Sequence, residues 1–302
     1  MEKFSILNKV EKTNIKTSFG LLTINNIQID PLLFEDYIYK IVFDKKRLEY
    51  IFATSIKDIN DFVMILKRFI PHTKPENLDS FVDEQMKNVN FYSFFAEGLI
   101  SIILNDLYNY SLSSGTIDIR NTLIDSHTGV DACMYDLDNN VFILGESKFY
   151  KDVKAGINKI ISDFTTEKGF FNKLDSFKRN IESNQISQSI LLRKLDKEIV
   201  DEISLNEFLK LDIKFAGFVL HQQNGKIDKY FEPSYYDNLN ISTNLIQSNI
   251  SNVLNTNFTN SNFNIIFLHI PVSNKKEFIK LIIEKVYNEI EDIRNGKHSI
   301  QQ

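Results

Sequence analysis

The sequence predicts an α/β fold in which a mixed central sheet is flanked by helices, and three observations carry that prediction. Short β-branched and aromatic runs, Thr116 to Ile124, Val130 to Leu137, Val141 to Tyr150, Ile213 to His221 and Asn264 to Pro271, read as strands. They are interleaved with segments of helical apolar spacing, the alternation expected of a sheet covered by helices. Finally, 302 residues with 43% hydrophobic and 25% charged content suffice for a sizeable core.

From Asp30 to Lys67 the apolar positions Leu33, Tyr37, Ile41, Phe62, Ile65 and Leu66 fall at helical spacing, which predicts a mainly helical N-terminal region. Pro71 and Pro75 mark a break, so residues 1–75 read as an accessory region and 76–302 as the main domain. Asn90 to Leu107 repeats apolar residues at the helical period, with Asn90 as N-cap, and this helix carries Glu97. Lys154 to Phe164 and Phe170 to Leu211 follow as helices, and Asn274 opens a last one to about Arg294. The Asn- and Ser-rich stretch Asn238 to Asn264 reads as loops around a short helix.

Composition narrows the function classes. No apolar run approaches the roughly 20 residues needed to span a bilayer, and Met1 to Ser5 lacks the apolar core of a secretion signal, so a cytoplasmic location without a membrane is expected. A single cysteine, Cys133, excludes a disulfide framework and a cysteine zinc cluster, and its apolar surroundings predict a small buried side chain. His72, His127, His221, His269 and His298 show no metal-ligand spacing and read as surface or packing residues. Ser113-Ser114-Gly115 has no phosphate-loop pattern, and no small-molecule substrate is indicated. The net charge of −5 argues against a free-standing, tight binder of nucleic acid, so local patches or a partner must supply attraction. Lys151, Lys154 and Lys159 either meet a nucleic-acid backbone or form a solvated helix face.

One constellation carries chemistry. Glu146 and Lys148 project to the same side of their strand while Ser147 points away. Upstream, Asp138-Asn139-Asn140 reads as a tight hairpin turn. With Asn139-Asn140 as a two-residue loop, Asp131 faces Lys148 and is the diagonal neighbour of Glu146 on one face. Paired carboxylates at a sheet end repel, and a divalent cation is the natural remedy. Mg²⁺, with Mn²⁺ as the alternative, needs one or two carboxylates plus a phosphate oxygen and water. The metal ligands expected are Asp131 and Glu146, joined by Glu97 from the preceding helix, and the catalytic residues expected are Asp131, Glu146 and Lys148. This order and spacing match a PD-(D/E)xK phosphodiesterase site. Other acid-x-Lys triplets, at Asp44/Lys46, Asp152/Lys154 and Asp212/Lys214, lack the upstream hairpin aspartate and the acidic helix.

Phe94-Phe95-Ala96-Glu97-Gly98, Thr128-Gly129-Val130-Asp131-Ala132-Cys133 and Leu144-Gly145-Glu146-Ser147-Lys148-Phe149-Tyr150 resemble the HamA family, nuclease subunits of the Hachiman anti-phage defence system. The likeness runs from about Asp30 onward and is strongest between Phe91 and Asp152. It implies a PD-(D/E)xK, restriction-endonuclease-like core, metal-dependent DNA degradation with little sequence specificity, and a partner helicase, HamB, that restrains or delivers the nuclease. Val130 stands where the superfamily's proline precedes the aspartate. Two other readings compete: a nuclease-fold subunit that regulates a helicase without cutting, and a nuclease acting on RNA.

Overall fold

The computed structural model describes residues 7–17, 20–29, 45, 48–49, 55–67, 70, 73–87, 89–112, 130–165, 172–173, 175–179, 185–199, 203–204, 207, 211, 213–226, 265–272 and 274–297. In chain order these form β1 (Leu7–Thr17), β2 (Gly20–Ile29), α1 (Ile59–Leu66), α2 (Leu78–Gln85), α3 (Val89–Tyr108), β3 (Ser111–Leu112), β4 (Ala132–Asp136), β5 (Val141–Tyr150), α4 (Val153–Thr165), α5 (Gln185–Leu195), β6 (Ile213–Gln222), β7 (Ile265–Val272) and α6 (Lys275–Arg294). The strand reading of Thr116 to Ile124 and the loop reading of Asn238 to Asn264 fall outside the described residues.

The protein is a mixed α/β fold. Its sheet runs β1-β2-β7-β6-β5-β4-β3, with β5, β6 and β7 parallel to one another and β4 antiparallel to β5. Strands β4 and β5 are buried almost throughout, as expected where helices cover both faces. Alternation sorts the side chains. Ala132, Met134, Ile143, Phe149, Phe218 and Ile270 join one core with Ile100 and Leu104 of α3 and Phe278 and Ile282 of α6. On the other face α4 comes so close that a Cβ at Gly156 would lie 2.5 Å from Val219 Cγ1, so only glycine fits there. Phe142 stacks edge-on to Phe177 on that same side, ring centroids 5.2 Å apart. No helix among the described residues is long and apolar enough to cross a membrane.

Four readings from the sequence need correction. The N-terminal region, expected to be mainly helical, contributes α1 within the Asp30 to Lys67 stretch that carries that reading, with Leu33, Tyr37 and Ile41 outside the described residues. Before that stretch lies the unexpected antiparallel pair β1 and β2, and β2 runs parallel to β7. That partner is far along the chain, so no local periodicity reports it. The helix expected from Phe170 to Leu211 is not continuous, because α5 closes at Leu195. Asp196 takes a left-handed φ of 53°, and Lys197 N donates to Leu192 O at 3.0 Å, a standard helix-closing arrangement. Asn90 lies inside the first turn of α3 rather than capping it. Asn274, by contrast, caps α6 as expected, its side chain accepting from the amides of Lys276 and Glu277.

The β4–β5 turn has four residues, Leu137 to Asn140, rather than two, and Asp136 pairs with Val141. Asp136 accepts from the backbone amide of Asn139 at 3.1 Å and from its side chain at 2.8 Å, while Asn140 takes the positive φ of 60° that asparagine tolerates. The register moves by two residues against the expected one. An even shift preserves the face of every side chain. Ala132 therefore faces Gly145, and the pairing ends there: Asp131, one step before β4, donates its amide to Gly145 O and turns its carboxylate to the amide and hydroxyl of Ser147.

Candidate active site

Glu146 sits mid-strand on β5 and is almost fully buried, at 4% exposure. Its Oε1 accepts from Lys148 Nζ at 2.5 Å, the same-face contact required of residues two apart in a strand. Lys148 also reaches Asp163 of α4 at 3.2 Å, and Asp163 is held in turn by Lys159 at 2.7 Å. The second oxygen of Glu146, Oε2, accepts from a further lysine, the buried Lys173.

Asp131 lies just before β4, where the hairpin opens. Its amide donates to Gly145 O at 2.9 Å, and its Oδ2 accepts from both the amide and the hydroxyl of Ser147, at 2.6 and 2.9 Å. Those donors fix the carboxylate beside Glu146. Val130, immediately upstream, donates its amide to Ser176 Oγ at 3.3 Å. Glu97, half-buried on α3, is near enough for its charge to act on Asp131.

The electrostatics report one coupled cluster. Burial, then the Glu97 charge, push Asp131 up to about 6, against the opposing pull of Lys148, Lys173 and the Ser147 amide. Burial and the Asp131 charge push Glu146 up to about 7 despite its two lysine partners. For Lys148, burial works against the charged form, but Glu146 and Asp131 outweigh it and raise its proton affinity. Asp163 is also partly buried, yet Lys159 and Lys148 hold it below the usual carboxylate range. Carboxylates with raised proton affinity, side by side, are a strained set of hard oxygen donors that a divalent cation relieves.

Asp131, Glu146 and Lys148 are thus brought together, with Glu97 acting on Asp131 from the helix. Among the described residues no group of three or more His, Cys, Asp or Glu side chains stands close enough to hold one metal ion. The donor set suits an ion that takes two carboxylates and completes its shell with water and phosphate oxygen, as Mg²⁺ does. Two participants carried no signal in the sequence. Lys173 and Ser176 come from the helical residues 172–173 and 175–179, in a different part of the chain from the hairpin. Asp163 had a weak signal, its i,i+4 spacing from Lys159.

The remaining candidates resolve simply. Cys133 is buried. His221 and His269 are buried against each other, Nε2 to Nδ1 at 3.1 Å, and the other three histidines lie outside the described residues. Lys159 is engaged with Asp163, while Lys151 is exposed.

No curated protein matches the chain. The HamA family model matches residues 32–286, a span that contains α3, the β4–β5 hairpin and every residue of the cluster described above. That match covers most of the molecule, and the chain therefore belongs to the HamA family, the family of the HamA component of Hachiman defence.

Proposed function

We propose that this chain is a metal-dependent DNA nuclease with a restriction-endonuclease-like core, acting in Hachiman defence beside a helicase partner. The observation that carries the reading is the open end of the β4–β5 hairpin, where Asp131, held by Ser147, lies beside Glu146 and Lys148, with Glu97 close by on α3.

Asp131 and Glu146 would hold Mg²⁺ or Mn²⁺, with Glu97 adding negative charge to the same region. When bound, such an ion polarises the phosphodiester and lowers the proton affinity of water. The protein's own groups do the rest. Ser147 orients Asp131 through two hydrogen bonds, so the carboxylate does not have to be organised during the reaction. Lys148 keeps its proton because Glu146 and Asp131 surround it, which suits it to stabilising negative charge on the phosphoryl oxygens rather than to acting as a base. Asp163 steers Lys148 from the α4 side. Water attacks phosphorus, the bond from phosphorus to the leaving sugar oxygen breaks, and the leaving oxygen takes up a proton.

The net charge of −5 supports reliance on a helicase, HamB-like in kind, to bring DNA to the site. The test is cleavage of supercoiled and linear DNA, and of matched RNA, by the purified chain with and without its helicase, in Mg²⁺, in Mn²⁺ and in EDTA. Glu146→Gln and Lys148→Met are expected to lower cleavage by about 10²-fold or more. Cleavage equal to the parent protein in both variants would overturn the assignment, and a preference for RNA would overturn the substrate.

A further inference from the structure

Lys173 is a buried cation in direct contact with the central carboxylate of the site, and the acid-x-Lys pattern does not contain it. Its side chain is more enclosed than that of Lys148, 8% exposed against 21%. The two lysines divide Glu146 between them, Lys148 on Oε1 and Lys173 on Oε2. Lys148 is also drawn toward Asp163, so part of its charge is committed elsewhere.

Lys173 does not depend on Glu146 for its place. Ser176 and Phe177 follow it by three and four residues, the spacing that puts side chains on one face of a helical turn. Both are buried: Ser176 accepts from the amide of Val130, next to Asp131, and Phe177 packs edge-on against Phe142 at the start of β5. The segment is therefore fastened to both strands of the hairpin, and the lysine is carried over Glu146 by that packing.

A preplaced ammonium on Oε2 neutralises a buried carboxylate that would otherwise be costly to hold beside Asp131. It also takes the oxygen that an incoming divalent cation would use. Two cations cannot share that contact without strong repulsion in so enclosed a place. We infer that Lys173 is a positioning residue that holds Glu146 in the metal-free protein, competes with the divalent cation for Oε2, and is released when the cation binds. The inference rests on the metal-site reading above.

The experiment uses the full chain with Mn²⁺ as probe. Acetylation of lysines, followed residue by residue by mass spectrometry, is expected to show Lys173 protected in EDTA and more reactive in Mn²⁺. Calorimetry is expected to give Lys173→Met an Mn²⁺ affinity higher than the parent's by about fivefold or more, the low end of typical coupling between sites, while Lys173→Arg stays near the parent. A residue that only supports the fold would weaken Mn²⁺ binding when removed and would not change its own labelling on metal addition. Unchanged Lys173 labelling, or an affinity in Lys173→Met equal to or below the parent's, overturns the inference. The labelling arm uses the parent protein and so does not depend on the variant folding. If the parent binds no Mn²⁺, the metal-site reading fails and this inference with it. If Mn²⁺ binds without moving Lys173, only the inference fails.

Discussion

Replacing Gly145 with alanine places a methyl group 2.7 Å from Ala132 Cβ and 2.9 Å from Ile100 Cδ1. Carbon atoms rest at about 3.5 to 4.0 Å, so the gap must open by about 1 Å. Ile100 can swing the end of its side chain aside. Ala132 cannot, because its Cβ is attached directly to the backbone of β4, directly across the pair. Overpacking of this kind costs about 1 to 3 kcal/mol, which for a chain of this size lowers Tm by roughly 2 to 10 °C. The displacement reaches the site at once, since Asp131 donates to Gly145 O and accepts from Ser147 two residues on. If Asp131 serves as proposed, a shift near 1 Å in its carboxylate costs on the order of 10²-fold in rate. Thermal unfolding in EDTA and DNA cleavage in Mg²⁺ measure the two effects. Ala132→Gly in the same chain removes the obstructing methyl and is expected to recover about 1 kcal/mol or more beyond the additive value. Strictly additive losses, or Gly145→Ala indistinguishable from the parent in both assays, would refute the close strand approach on which the site geometry rests.

The folded-state proton affinities of Asp131 and Glu146, about 6 and 7, lie above the ordinary 3.8 and 4.5, so the metal-free fold gains stability as pH falls and loses it as pH rises through 7. Divalent binding needs both groups ionised, so Mn²⁺ affinity is expected to weaken about tenfold or more between pH 7 and pH 6, with proton uptake or release visible in calorimetry across buffers; a flat profile over that range contradicts the coupling. Glu97→Gln removes the charge that raises Asp131 without touching the Glu146–Lys148 pair, so a loss in cleavage smaller than that of Glu146→Gln, together with a lower pH midpoint for metal binding, is expected. Lys275 is buried, donates to Phe149 O at 2.7 Å, and is pushed down to about 8 by burial and then by Lys151. Its folded value lies below the ordinary 10.5, so it opposes folding while charged, and stability is expected to rise from pH 8 toward pH 10 in the parent and less in Lys275→Met, as read by denaturant midpoints.

Much of the fold was legible locally because helix and strand periods are properties of short windows. Val141 to Tyr150 matches β5 end for end, α3 and α6 match to within a residue or two, and Asn274 caps its helix where the residue type says it should. The turn is two residues longer than the spacing predicts, yet the faces of the paired residues from Ala132 to Asp136 are unchanged, because the strand repeat is itself two. Glu146 and Lys148 share a face by their spacing alone, whereas Asp131, outside the paired residues, joins them at the open end of the hairpin through its bonds to Ser147. The HamA likeness of the same segments pointed to the family that the match over residues 32–286 establishes.

What the sequence alone determined, then, was which titratable residues the hairpin carries and the alternation of elements around it, both governed by interactions a few residues apart. Only the tertiary structure decided what closes over that hairpin. Lys173, Ser176 and Asp163 reach Glu146, Val130 and Lys148 from segments whose own patterns say only that they are helical. The pairing of β2 with β7 and the protonation balance of the carboxylates likewise depend on which distant groups meet. Contacts between remote segments are set by how whole elements pack against the sheet, and desolvation by how completely they cover it, and neither leaves a period in the chain to be read.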